Sequence, residues 1–200
     1  MQLYIIRHGE TDFNKQGILQ GRGVNPGLNE LGKKQAALFF EKYKSENFEI
    51  IYTSSLKRTH DSVASFIEKG IPWEQHAELD EISWGIFEGK VASHEFKMQY
   101  RDLLYQWQNG NLDAKPENGE SPNEVSARQK KFIDYILSKP EEKILIAMHG
   151  RALRIFLPTM LQQDLKMMDE YPHHNLTLYK VIFNSTNFSI DLFNNMDHLH

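Results

Sequence analysis

Three short apolar runs in the sequence are each followed within a few residues by histidine or arginine side chains. These side chains are Arg7 and His8, then Arg58, and finally His149 and Arg151. In an open α/β sheet the functional residues lie beyond the carboxyl ends of the strands. We therefore expect two histidines and at least two arginines to converge on one site.

Such a cluster is suited to phosphoryl transfer. Arginine guanidinium groups are planar and offer several donors to phosphate oxygens. Positive charge nearby disfavours the imidazolium form, so a histidine among arginines is neutral and can act as a nucleophile. Phosphoryl transfer mainly requires alignment and charge neutralisation, which arginines and a second histidine can supply without a metal ion. The residues thus predict that a histidine attacks a phosphate group.

The same chemistry requires a proton donor, because an attacked monoester otherwise releases an alkoxide. Residues 79–85 contain two adjacent carboxylic acids, Asp80 and Glu81. The residues themselves do not decide between them.

The apolar runs indicate the elements that position these groups. Residues 3–6, 50–52 and 144–148 are continuously apolar, which is typical of strands buried on both faces of a parallel sheet. Each is followed by a helical pattern, so we expect an α/β fold. Residues 176–183 and 188–192 flank a short polar turn and predict an antiparallel hairpin at the edge of the sheet. The sheet is therefore expected to be mixed but mostly parallel.

Two further helices are predicted. Leu31, Leu38 and Phe39 have helical spacing before the second strand, and Ser121 with Glu124 forms a capping box with proline at the first helical position. The helix that begins at this box leads into the third strand.

Residues 86–120 have a looser, aromatic and polar pattern, which we interpret as a helical insertion over one end of the sheet, within a single domain of residues 1–200. Its aromatic residues are expected mainly to pack the insertion onto the sheet, with a substrate lid as the alternative. They are Phe96, Tyr100, Tyr105 and Trp107.

Composition excludes several other classes of function. The chain has 200 residues, 40% of them hydrophobic, which fits one globular domain with a substantial core. With 23 Lys and Arg against 27 Asp and Glu, it has no overall positive field for nucleic acid or an anionic membrane. The absence of cysteine excludes disulfides, thiolate metal sites and cysteine nucleophiles. No secretory signal or membrane span is visible, so a cytoplasmic location is expected.

The sequence of residues 7–11, Arg-His-Gly-Glu-Thr, resembles the signature of the histidine phosphatase superfamily, which has the phosphoglycerate mutase-like fold. Further segments resemble the family and occur in its order, which makes the resemblance specific. They are residues 28–36, 54–59, 81–89, 119–121 and 149–150. The resemblance implies a three-layer α/β/α sandwich, with the insertion lying over the site.

The resemblance also implies roles for individual residues. His8 would be the nucleophile, and Glu81 rather than Asp80 would be the acid and later the base. The phosphoryl group would be bound and neutralised by Arg7, Arg58 and His149. Asn14, Gln20, Gly21 and Gly150 would line the phosphate or substrate pocket. The resemblance implies no cofactor and no metal; the expected partner is a small phosphate ester, and the protein would be a monomer or homodimer.

The sequence departs from the family at Arg151, where a small residue commonly follows His-Gly. Three roles remain open for it: a third phosphate-binding arginine, a contact on the substrate side, or a solvated residue at the start of a helix. A metal site is the alternative interpretation of the pair His173 and His174 and of the terminal residues 197–200. Because adjacent histidines point apart and chain ends fray, we expect them to be structural or solvated.

Two alternative functions follow from the same resemblance. Phosphoglycerate mutases carry basic and aromatic residues directly after the acid glutamate, whereas this chain has Ile82, Ser83 and Trp84. This difference favours a phosphatase of the broad-specificity or α-ribazole-phosphate kind, and a fructose-bisphosphatase-like enzyme stays open because that branch also has isoleucine there. The other alternative is a non-catalytic phosphate- or phosphoprotein-binding module. Such members usually lose the histidine or the acid, and this chain retains both.

Overall fold

A computed structural model describes all 200 residues and contains one six-stranded sheet. The strands are β1 (Gln2–Arg7), β2 (Ile50–Thr53), β3 (Trp73–Gln75), β4 (Lys143–Met148), β5 (Leu178–Phe183) and β6 (Phe188–Asn195). Their spatial order is β3-β2-β4-β1-β5-β6. The first four strands pair in parallel, whereas β5 and β6 form the antiparallel edge. The expectation of a mixed, mostly parallel sheet is confirmed.

Six α-helices connect and cover these strands. They are α1 (Asp12–Gln16), α2 (Glu30–Tyr43), α3 (Lys57–Glu68), α4 (His94–Gln108), α5 (Pro122–Leu137) and α6 (Gly150–Met160). The short elements α1 and β3 were not predicted from the sequence. None of the helices combines the length and the apolar character needed to span a bilayer.

The two faces of the sheet pack against different helices. On one face Ile5 belongs to a buried cluster with Phe132 of α5 and Phe156 of α6. On the other face Ile6 belongs to a second cluster, which includes Phe39 of α2 and Phe66 of α3. Successive β1 residues are thus buried on opposite faces, which explains the continuous apolar pattern. The three-layer α/β/α arrangement is confirmed.

The predicted helix before β2 is present as α2, but its buried face is narrower than the sequence suggested. Phe39 is fully buried, whereas Leu31 and Leu38 are 49% and 46% exposed. The buried ring packs at 4.7 Å from Tyr43 and 5.8 Å from Phe66 of α3. One aromatic row on α2 therefore makes the contact with the neighbouring helix.

The insertion packs through a third apolar cluster of its own. Leu103 and Trp107 of α4 are buried with Trp84, Phe87 and Ile155. The insertion is therefore anchored to α6 and to the segment that follows Glu81, and not to the sheet onto which its aromatic residues were expected to pack. This packing places α4 beside the carboxyl ends of the parallel strands.

Candidate active site

Strand register brings the two histidines of the sequence motifs together. In the parallel pair of β1 and β4, Arg7 lies opposite Met148, so the next residues, His8 and His149, leave the sheet side by side. The backbone N–H of His8 donates to the carbonyl of Met148 at 3.0 Å. The two imidazole rings lie 5.2 Å apart between centroids. The expected convergence at the carboxyl ends of the strands is therefore present.

The His8 ring is fixed with one nitrogen free. Its Nδ1 donates to the Gly9 carbonyl at 2.7 Å, which requires the proton to be on Nδ1. The Gly9 N–H donates to Ser62 Oγ at 2.9 Å, and Asn175 Nδ2 donates to the His8 carbonyl at 3.0 Å. No protein atom is within hydrogen-bonding distance of Nε2, which therefore offers an unprotonated lone pair to the cavity.

Two glycines let the signature loop pack against the start of α2. A Cβ on Gly32 would lie 2.1 Å from the Glu10 carbonyl oxygen, and one on Gly9 would lie 2.8 Å from the Gly32 carbonyl oxygen. Both contacts involve backbone atoms, so they cannot be relieved by a side-chain rotation. The Leu-Gly segment of the sequence thus holds the loop that carries His8.

Burial and nearby positive charge keep both histidines neutral. The pKa of His8 lies well below its usual value because the ring is buried and because Arg58 and Arg7 are close. Burial also lowers the pKa of His149 well below its usual value, and Arg58 adds to the effect. A neutral His8 is the form that a nucleophile requires.

Arg7 presents an unpaired guanidinium to the same cavity. None of its nitrogens donates to a protein acceptor, and its Nε is buried without any partner. Burial lowers the pKa of Arg7 to about 10, although the nearby Glu81 opposes this effect. The group therefore remains charged at neutral pH. Since a buried unpaired charge is costly, this site is built to receive an anion.

The Glu81 carboxylate caps the start of α6. Its Oε1 accepts from the N–H groups of Ile82 at 2.9 Å and Ala152 at 2.7 Å, and its Oε2 accepts from the N–H of Arg151 at 3.1 Å. The helix dipole favours negative charge at the start of α6, but α6 has no acidic residue in its first turn. Glu81, from another segment of the chain, supplies this charge. Glu81 lines the cavity together with Arg7 and His8.

The neighbouring acid, Asp80, points elsewhere. Its Oδ1 accepts from the backbone N–H and the hydroxyl of Ser55 at 2.9 and 2.6 Å, and its Oδ2 accepts from Arg22 at 3.2 Å. Asp80 does not line the cavity. The geometry thus separates two carboxylates that the sequence places side by side.

Arg58 and His149 lie behind His8, and neither is part of the cavity lining. Arg58 Nε donates to His149 Nδ1 at 3.1 Å, so the His149 proton is on Nε2, which donates to Ser54 Oγ at 2.7 Å. The other Arg58 nitrogens donate to the carbonyls of Val24 at 2.9 Å and Gly21 at 3.2 Å. The structure therefore groups these residues with His8 but gives them protein partners.

The remaining residues predicted for the pocket divide into two groups. Asn14, Gln20, Gly150 and Arg151 line the cavity, which has a volume of about 130 Å³. Gly21 does not line it: its carbonyl accepts from Arg58, and a Cβ at this position would meet the Glu88 carboxylate at 2.0 Å. The absence of a side chain at Gly21 thus lets the Glu88 carboxylate lie close to the backbone.

Several cavity residues were missed by the sequence analysis. The cavity is also lined by Ile18, Leu19, Trp84, Tyr100 and His173. His173, which was expected to be structural or solvated, has its ring in the cavity wall against Gly150 and Arg7. No local sequence signal places it there, since it is brought to His8 by the loop before β5. His, Asp and Glu side chains form no group of three or more that could hold a metal ion.

Comparison with known proteins agrees with this geometry. A family model described as the histidine phosphatase superfamily (branch 1) matches residues 3–196. Phosphoserine phosphatase 1 of Hydrogenobacter thermophilus is 27% identical over 184 residues, which cover 91% of this chain and 86% of that protein. A Yersinia pestis protein named "Probable phosphoglycerate mutase GpmB" is 29% identical over 163 residues, which cover 80% of this chain and 75% of that protein.

A solved structure of the α-ribazole phosphatase from Shigella flexneri superposes with a TM-score of 0.85. The superposition covers 98% of this chain and 96% of the Shigella protein, at 24% sequence identity. At this identity the similarity shows the fold alone. The family model covers nearly the whole sequence, including both histidine motifs. The chain therefore belongs to the histidine phosphatase superfamily, branch 1.

Proposed function

We propose that this protein hydrolyses small phosphate monoesters through a phosphohistidine intermediate on His8. One observation carries the proposal: the free Nε2 of His8 and the unpaired guanidinium of Arg7 face the same cavity. A neutral nucleophile and a cation without a hydrogen-bond partner in one small cavity are the two groups that attack on a phosphate dianion requires.

In the first step the phosphoryl group lies between His8 and Glu81. The Nε2 lone pair forms a bond to phosphorus while the bond from phosphorus to the ester oxygen breaks. A protonated Glu81 gives its proton to that oxygen, and the alcohol leaves. Glu81 Oε2 accepts only one backbone hydrogen bond, whereas Oε1 accepts two, so Oε2 is the oxygen that would carry the proton.

In the second step water replaces the alcohol. The Glu81 carboxylate takes a proton from water, the water oxygen bonds to phosphorus, and the bond from phosphorus to Nε2 breaks. Phosphate then leaves, and Glu81 is protonated again. The hydrogen bond from Nδ1 to the Gly9 carbonyl holds the ring in the same orientation throughout and stabilises the positive charge that the ring acquires.

Two amide side chains would complete the phosphate site. Asn14 Oδ1 accepts from the Thr11 backbone N–H and from Asn175 Nδ2, both at 3.2 Å, and Gln20 Oε1 accepts from the Thr11 hydroxyl at 2.9 Å. With both carbonyl oxygens occupied, the NH₂ groups have no protein acceptor and remain as donors to phosphate oxygens.

Arg58 and His149 would act from behind His8. In the proposed complex Arg58 exchanges its bonds to the carbonyls of Gly21 and Val24 for bonds to a phosphate oxygen, which a charged acceptor favours. His149 has both ring nitrogens engaged, by Arg58 and by Ser54, so it would contact the phosphoryl group by exchanging its Nε2–H bond to Ser54 for one to a phosphate oxygen.

Water is favoured over a second substrate as the final acceptor. The residues after Glu81 carry no charge: Ile82 is fully buried and Trp84 packs against Tyr100 and Trp107. A mutase has to retain the substrate alcohol while it is phosphorylated again. The similarity to the named mutase relative favours mutase activity, so both reactions need to be measured.

The direct test is metal-free hydrolysis of p-nitrophenyl phosphate by the wild type and by His8→Ala in the presence of EDTA. We expect turnover by the wild type and loss of turnover in the variant. A wild type without activity, or a fully active variant, would disprove the proposal. Rapid isomerisation of 3-phosphoglycerate in the presence of bisphosphoglycerate, with little free phosphate, would replace it with a mutase.

A further inference from the structure

Arg151 provides a second cation in the cavity, beside the proposed proton donor. Its Nη1 donates to Asp169 Oδ1 at 2.7 Å, and its guanidinium lies 5.5 Å from the Trp107 ring. Its Nε and Nη2 have no protein acceptor, and the residue lines the cavity. One edge of a well-anchored guanidinium is thus free to bind an anion.

The positive charge of Arg151 is only partly neutralised. Arg154 Nη1 donates to the same Asp169 Oδ1 at 2.7 Å, so two guanidinium groups share one carboxylate. The Arg154 Nε is buried without a partner. The three side chains together carry one net positive charge, which one carboxylate would balance.

His173 adds a polar group to the same wall. Its Nδ1 is buried and without a partner, and its ring packs against Gly150, where an added Cβ would lie 2.8 Å from the ring. Burial, aided by Arg7, lowers the pKa of His173 to about 2, so the ring is neutral. Its Nε2 is not buried and makes no hydrogen bond to the protein, so with the proton on Nε2 the ring offers a hydrogen bond to the cavity rather than a second charge.

The position of Glu81 assigns this wall to the leaving group. Its Oε2 accepts from the backbone N–H of Arg151 at 3.1 Å, so an ester oxygen protonated by Glu81 lies next to Arg151. Arg7 and His8 would contact the phosphoryl group, and His173, beside Arg7 and Gly150, lies where that part of the cavity meets the Arg151 wall. Leu19, Trp84 and Tyr100 supply the remaining apolar walls.

We propose that Arg151 and His173 form a second anion subsite, which binds a carboxylate on the leaving group. The preferred substrates are then small phosphate monoesters of hydroxy acids. This inference rests on the proposed function, since it presupposes that His8 and Glu81 bracket the phosphoryl group. The positive charge that is missing after Glu81 is supplied instead by α6.

The test compares 3-phosphoglycerate with glycerol 3-phosphate, which differ only in having a carboxylate or a neutral CH₂OH group. We expect the wild type to prefer 3-phosphoglycerate by about 10- to 100-fold in kcat/KM for phosphate release, the range for one charge-assisted hydrogen-bonded contact. Arg151→Met should remove this preference, because its kcat/KM for 3-phosphoglycerate should fall about 10- to 100-fold further than its kcat/KM for glycerol 3-phosphate.

Arg151→Met should fold, because Asp169 keeps its ion pair with Arg154. Arg151→Lys, which retains the charge, should restore part of the preference. His173→Phe keeps the ring but removes its hydrogen bond, so the preference should be reduced rather than lost. Arg101→Met is the matched control, since Arg101 is exposed on α4 and makes no ion pair, and it should behave like the wild type.

Calorimetric binding of both compounds to His8→Ala separates this inference from the proposed function. If the wild type hydrolyses both esters equally well, or if Arg151→Met keeps the preference, the subsite is disproved and the phosphatase stands. If no ester is hydrolysed but His8→Ala binds 3-phosphoglycerate more tightly through Arg151, the phosphatase is disproved and the subsite stands. Equal binding of the two compounds in that case would disprove both.

Discussion

Glu81→Gln keeps the size of the side chain but removes the proposed proton donor and part of a buried hydrogen-bond network. The carboxylate accepts N–H groups from Ile82, Ala152 and Arg151, whereas an amide has one acceptor oxygen. If that oxygen keeps the first two bonds, the amide nitrogen faces the Arg151 N–H. One unpaired buried donor costs about 1–3 kcal/mol. For a chain of this size the melting temperature should fall by roughly 2 to 12 °C.

The activity of this variant should depend on the leaving group. An alkyl phosphate needs the proton from Glu81, so its kcat should fall by about 10²- to 10⁴-fold, the range for loss of general acid catalysis. p-Nitrophenolate leaves without protonation, so phosphorylation of His8 by p-nitrophenyl phosphate should survive. Hydrolysis of the phosphohistidine should become slow because water has lost its base. Stopped-flow absorbance should therefore show a stoichiometric burst of p-nitrophenolate followed by slow turnover.

Asp80→Asn is the matched control. It weakens the contacts to Ser55 and Arg22 and should reduce stability, but the ratio of alkyl to nitrophenyl activity should remain that of the wild type. If Glu81→Gln slowed both esters equally and gave no burst, Glu81 would not be the proton donor, and the proposed pairing of Glu81 with His8 would be wrong.

Three further predictions concern the histidines and their surroundings. Because His8, His149 and His173 are neutral when buried, the unfolded chain binds more protons than the folded chain below pH 6.5. Each of these histidines should therefore lower the free energy of unfolding by about 1.4 kcal/mol per pH unit as the pH falls towards 5. Urea unfolding at pH 7 and pH 5 checks this, and His173→Phe should show a shallower pH dependence. Arg58→Met removes a positive charge and should raise the pKa of His8, which an NMR titration would detect. An unchanged pKa would contradict the conclusion that the charge of Arg58 helps to lower the pKa of His8. Gly150→Ala places a Cβ 2.8 Å from the His173 ring. This substitution should destabilise the fold by about 1–3 kcal/mol and lower kcat/KM. A fully active and equally stable variant would refute the close contact.

The sequence was sufficient to predict the sheet and the convergence of its motifs, because both depend on local patterns. Continuous apolar runs indicate strands buried on two faces, and the positions that follow such strands meet at one edge of the sheet. The pairing of Ser121 and Glu124 as a capping box is likewise local, and the structure contains both of its hydrogen bonds. The short α1 and β3 escaped prediction because they carry too few residues to show a period.

The orientation of the site residues could not be predicted, because it depends on contacts between distant segments. Asp80 and Glu81 are adjacent in sequence, yet one accepts from Ser55 and the other from the start of α6. Arg58 was expected in the cavity, whereas carbonyls from another loop engage it behind His8. His173 reaches the cavity only through the path of the chain before β5. Sequence patterns locate such residues near a strand end but do not report which neighbour each will contact.

The central claim, a covalent phosphohistidine on His8, can be tested by rapid quenching under alkaline conditions during turnover of a phosphate monoester, followed by peptide mass spectrometry. We predict a phosphorylated peptide that carries the group on His8, more abundant in Glu81→Gln and absent in His8→Ala. A phosphoryl group on His149 or another residue, or turnover without any phosphorylated peptide in either the wild type or Glu81→Gln, would contradict the proposed mechanism.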